Sequence, residues 1–186
     1  MIDRLIDRML RAAQLQVDLY HEIAADPGAR LQALASVAVV AAAAGIGGGL
    51  RVAQGDFWVG VIGLLLGVLG YAAGWALFTT VAYYLSTRLL ALAPELPTTR
   101  ERILTYTGFA QAPAVASFFA FFPLVGLPLQ LLIFGWVGVA AAQALAEAFH
   151  AGSSTAAKVA APAVLAHLLA YFALLQLSVP ITRLVT

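Results

Sequence analysis

Only a few residues in this chain are of types and spacings that could do chemistry. Glu147 and His150 stand three residues apart, one helical turn, where an acid and an imidazole could share a proton or two metal positions. One carboxylate and one imidazole do not complete a metal site. His167 is the only ionisable group besides tyrosine near the centre of an apolar run. Ala163, Ala166 and Ala170 leave room beside it for a flat ring, so its imidazole could ligate haem or a chlorophyll. The competing reading is a histidine that hydrogen-bonds within the protein. As a catalytic base it would need Ser117 or Ser178, and nothing in the local sequence supports that pairing. Tyr106, Thr107 and Gln111, with Thr105 before and Pro113 after, form the densest polar stretch inside an apolar run. Such a face could line a substrate path, or simply supply hydrogen bonds between helices. There is no HExxH, no GxSxG and no pair of intramembrane carboxylates. There is also no cysteine, which removes thiolate metal sites and thiol nucleophiles. The expectation is a protein that is not an enzyme, with no cofactor beyond the His167 reading.

The elements that must position these residues are five apolar runs, at 32–54, 57–85, 103–122, 129–149 and 156–179. Each is about 20 residues or longer, enough to cross the hydrocarbon core as a helix. The chain is 62% hydrophobic and 10% charged, against about 25% charged in a soluble domain. In water it would expose more apolar surface than a soluble monomer tolerates. A net charge of +1 argues against nucleic acid, which calls for a clustered basic face. The expected fold class is all-α: a polytopic integral membrane protein with five transmembrane helices over 26–186, preceded by an amphipathic interfacial helix over 1–25.

In that first segment Ile2, Leu5, Ile6, Met9 and Leu10 recur at helical spacing, with Ala13 and Val17 behind them. Asp3, Arg4, Asp7, Arg8, Arg11 and Asp18 take the other side. Three arginines against four acids up to Glu22 leave no net attraction to lipid charge. The stripe must therefore be held by apolar burial, in the membrane interface, on this bundle or on a partner. Asp26 and Pro27 restart the chain as the first span. Gly45, Gly47, Gly48 and Gly49 predict that this span frays and turns. Thr98 and Glu101 form a capping box for the third span. Pro123, Gly126 and Pro128 make a hairpin, and Ser153, Ser154 or Thr155 caps the fifth span.

In the second span Gly60, Gly63, Gly67, Gly70 and Gly74 fall at spacings of three and four, a face along which another helix can approach closely. That helix belongs either to this bundle or to a partner. With the N-terminus in the cytoplasm, eight basic residues lie inside and only Arg51 and Arg183 outside, and an odd number of spans puts the C-terminus opposite.

Three stretches carry a family resemblance: EIAADPGAR at Glu22 to Arg30, TYTGFAQAP at Thr105 to Pro113, and ALAEAFHAGSSTA at the end of the fourth span. In these the chain resembles a bacterial member of the Yip-domain family, five-span proteins named for binding Rab/Ypt GTPases in eukaryotes. The resemblance implies a bacterial inner-membrane protein with a cytoplasmic N-terminus, no catalysis and no cofactor. It implies an adaptor or accessory subunit that binds membrane lipids and other integral membrane proteins, as part of a larger complex or as a homo-oligomer. The long hydrophilic N-terminal region of the eukaryotic members is missing here. The alternative is a small transporter or channel using the polar face of the third span.

Overall fold

The computed structural model describes residues 2–53, 55–89, 100–122, 124–177 and 181. Thr98 of the capping box, Pro123 of the hairpin, Ser178 and Arg183 lie outside the described residues. The fold is all-α. Helices α1 (Ile2–Ala13) and α2 (Asp18–Ala25) precede α3 (Ala29–Ala53) and α4 (Phe57–Tyr84), which continues as a π turn over Leu85–Leu89. Then come α5 (Arg100–Ala110), a 3₁₀ helix (Ala112–Phe121), α6 (Gly126–Phe149) and α7 (Ser153–Gln176).

By length and composition α3, α4 with its π turn, α6 and α7 can each cross a membrane. The third apolar run behaves differently. Pro113 has no N–H to continue an α-helix and its ring crowds the preceding turn. The chain tightens there, with the Ala114 amide donating to the Gln111 carbonyl at 2.8 Å. The single third span expected from the sequence is thus an α-helix followed by a ten-residue 3₁₀ helix. A run of 3₁₀ longer than three or four residues is unusual and marks strain or a hinge.

The helices close into a ring: α3 packs on α4, α4 on α7, α7 on α6, and α6 on α5 and the 3₁₀ helix, which return to α3. The expected fraying at the glycine cluster does not occur, because α3 runs on to Ala53. These glycines let three neighbours touch its backbone. A Cβ on Gly49 would lie 2.8 Å from the Leu64 amide of α4, one on Gly47 would lie 2.9 Å from the Phe118 carbonyl, and one on Gly48 would lie 3.1 Å from Leu175 of α7. The expected side-chain cap on α7 is also absent, since Gly152 is its N-cap and no side chain bonds there. Asp56 does cap α4, accepting from the Trp58 and Val59 amides at 2.9 and 3.1 Å.

The N-terminal segment is two helices, not one over 1–25. The α1 helix ends in a Schellman motif: the Gln16 amide donates to Arg11 and the Leu15 amide to Ala12, with Leu15 at φ 61°. Glycine usually fills that left-handed position, so a leucine there gave no stop signal.

Candidate functional site

Two regions gather the polar side chains: the centre of the ring, and the layer that α1 and α2 lay over its side. At the centre, Tyr71 donates from Oη to Gln111 Oε1 at 2.8 Å, and Gln111 Nε2 reaches the Thr107 carbonyl at 3.4 Å. Thr107 itself bonds its own helix, donating to Ile103 O at 2.7 Å. Tyr171 Oη donates to the Ala44 carbonyl at 3.3 Å, and Gln130 Nε2 to Ser117 Oγ at 3.0 Å. All of these side chains are buried. The polar face of the third run is therefore occupied by bonds to its own helix and its neighbours.

His167 is fully buried beside this network, with ring contacts to Tyr71 at 4.6 Å and Phe134 at 5.2 Å between centroids. Neither ring nitrogen has a hydrogen-bond partner among the described residues. The Gly74 backbone lies flush against the ring, so that a Cβ there would stand 3.0 Å from Nε2. On the Nε2 side the α4 backbone at Gly74 stands where a flat ring would lie. Among the described residues no three histidines or acids group to hold a metal ion.

The five glycines of α4 do not form one face toward one neighbour. Gly60, Gly63 and Gly67 meet Ala53, Gly49 and Gly45 of α3, whereas Gly70 and Gly74 meet Tyr171 and His167 of α7. Both contacts are internal to the ring.

The second region is built around Arg8. The sequence assigns Arg8 to the solvent side of α1, yet it is only 1% exposed. Its Nε and Nη2 donate to Glu22 Oε1 at 3.0 and 2.7 Å, its Nη1 donates to Gln32 Oε1 at 2.9 Å, and Nη2 pairs with Asp26 at 2.8 Å. Arg11 adds pairs to Asp7, Asp18 and Glu22. One buried guanidinium thus joins α1, α2, the Asp26 turn and α3. Arg11 and then Arg8 hold the Glu22 carboxyl below its usual range, and the Gly28 amide and then Arg8 do the same for Asp26.

Helix α6 holds the same layer through one stripe. Trp136 Nε1 donates to the Ala13 carbonyl at 3.0 Å, Gln143 Nε2 to the Leu15 carbonyl at 2.8 Å, and Glu147 meets His21 at 3.3 Å. Carbonyls at a helix end lack helical donors, and near lipid an unpaired one is costly. Tyr106 belongs to this layer and not to the central network: it stacks on Tyr20 at 5.2 Å and donates to the Tyr20 carbonyl at 3.1 Å. Burial pushes the Tyr20 phenol up.

The apolar stripe of α1 is divided. Leu5 and Met9 pack on the core with Ala12, while Ile2, Ile6 and Leu10 are 69%, 52% and 57% exposed. Helical spacing gave the stripe but could not say which edge is covered. Trp136 and Gln32 carried no signal of their role in the sequence, because their partners lie on other helices.

Fold and site define the class: an all-α chain, four of whose helices are long and apolar enough to cross a membrane, with Tyr71 and Gln111 bonded to one another at the centre of the ring. Comparisons with protein-family models, curated proteins and solved structures find no match.

Proposed function

We propose that this protein is a non-enzymatic adaptor or accessory subunit of the bacterial inner membrane, and that it binds another integral membrane protein through the outer edge of α1. The observation that carries this reading is the exposure of Ile2, Ile6 and Leu10 on a helix whose other edge is fixed by a buried arginine. A preformed apolar edge binds with little ordering cost. The resemblance to the Yip domain points the same way, as does the basic-residue bias that puts α1 on the cytoplasmic side. In this topology α5 and the 3₁₀ helix together make the third of five crossings; at 1.5 and 2.0 Å per residue they reach about 36 Å. The test is purification in mild detergent followed by mass spectrometry. A stoichiometric membrane partner should be recovered with the wild type and lost with Ile6→Glu/Leu10→Glu. Equal recovery with both proteins would exclude this edge as the contact.

A second reading, a small transporter, draws on the break at Gln111 to Pro113 and on the buried His167. Broken helices beside polar groups at membrane depth are how transporters build binding sites. Substrate flux into proteoliposomes that Gln111→Leu abolishes would favour it over the adaptor.

A further inference from the structure

We propose that the groove between α6 and α7 binds an acyl chain of an anionic phospholipid, whose phosphate pairs with Lys158 at the groove's mouth. The groove encloses about 480 Å³ and every residue lining it is apolar. Its floor is Gly135, Gly138 and Ala142 on α6, and its wall is Ala157, Ala161 and Val164 on α7. These two glycines are open where those of α4 are closed. A Cβ on Gly135 would meet nothing within 4 Å, and one on Gly138 only Val164 at 3.8 Å. The volume falls within the range of about 300–1,000 Å³ typical of small-molecule sites.

Length selects the occupant. From Leu131 to Ala142 the groove follows α6 for about 16 Å at 1.5 Å per residue. One leaflet of hydrocarbon is about 15 Å deep, half of the core. A membrane-spanning helix of another chain would need a groove about twice as long, whereas one lipid chain needs this much.

Charge selects the headgroup. Lys158 follows Ala157, which lines the groove's end, and is the one charged residue of α7. It is exposed and has no ion-pair partner among the described residues. The acid at the same end, Glu147, points from the opposite side of α6, where it meets His21. An exposed cation next to the end of an apolar groove one leaflet long fits a lipid with a negative phosphate and no compensating positive group.

The probe is delipidated protein in detergent, titrated with dipalmitoyl phosphatidylglycerol or dipalmitoyl phosphatidylcholine and read by native mass spectrometry. The wild type should retain one phosphatidylglycerol per chain with about a fivefold preference, the roughly 1 kcal/mol of an exposed ion pair. Lys158→Gln should erase the preference and keep the chain bound. Gly138→Leu and Ala161→Leu, which fill the groove, should lose both lipids. Equal retention of the two lipids by the wild type would overturn the headgroup assignment. Unchanged retention in the two filled variants, folded by circular dichroism, would overturn the groove. A dimer that Gly138→Leu dissolves would overturn it too, in favour of a second copy. If those two variants fail to fold, Gly135→Leu, whose Cβ meets nothing within 4 Å, takes their place, and unchanged lipid retention there would overturn the groove.

Discussion

Gly67 and Gly74 on α4 and Gly135 and Gly138 on α6 are the same residue in the same kind of helix, and their surroundings are opposite. The first pair is pressed against the Gly45 backbone and the His167 ring; the second pair looks out. Helix α1 repeats the contrast, with Leu5 and Met9 turned in and Ile2, Ile6 and Leu10 turned out. In lipid there is no hydrophobic drive between helices, so contact depends on close packing. Inward small residues close the ring, while outward ones leave shaped apolar surface. The proposed binding surfaces are the places where this chain has nothing of its own to fill a gap.

The largest expected effect breaks that contrast directly. Gly74→Leu would drive a side chain into His167 and Gly67→Leu into α3, and overpacking costs about 1–3 kcal/mol or more. Both should cut the yield of monodisperse protein several-fold in size-exclusion chromatography, whereas Gly135→Leu should leave it unchanged. Equal loss from all three would mean that α6 is covered after all.

Next in size is the lock at Arg8. Arg8→Met leaves Glu22 and Asp26 without their shared cation. Breaking a buried pair costs about 3–5 kcal/mol, and about 2 is reasonable here because Glu22 keeps contact with water. Cleavage of residues 1–25 by an added protease should speed up at least tenfold, with the spans still folded. An unchanged rate would mean that apolar contacts alone hold the layer.

A smaller and reversible effect follows from acid. Glu22 and Asp26 have folded values below the ordinary carboxylate range, so their support is complete above about pH 4.5. It is lost as pH falls through the lowered values, while the arginines stay charged. Protease sensitivity of the N-terminal layer should be flat from pH 8 to about 5 and rise below about 4. Arg8→Met should shrink that rise without removing it, because Arg11 still holds Glu22 and the Gly28 amide still holds Asp26.

Much of this was legible in the sequence. The apolar runs gave the four long helices, Asp26 and Pro27 marked the restart before α3, and the spacing gave the stripe of α1 but neither its end at Ala13 nor its covered edge. What failed was decided by partners distant in the chain. Glycines at 45–49 looked like a fraying end because nothing local shows that three helices would use them. Arg8 looked solvated because Gln32 and Asp26 enter only after the chain turns at Leu15. Pro113 sits in an apolar run long enough to cross a membrane, and the run length hid the break it makes.

The outward edge of α1 can be tested most directly in intact cells, with a photoreactive side chain placed at Ile6 or, as its inward control, at Leu5. The expected result is a crosslink from Ile6 to one other integral membrane protein, and from Leu5 only within this chain. Crosslinks from Ile6 to lipid alone, or to the same products as Leu5, would contradict an adaptor that works through this edge.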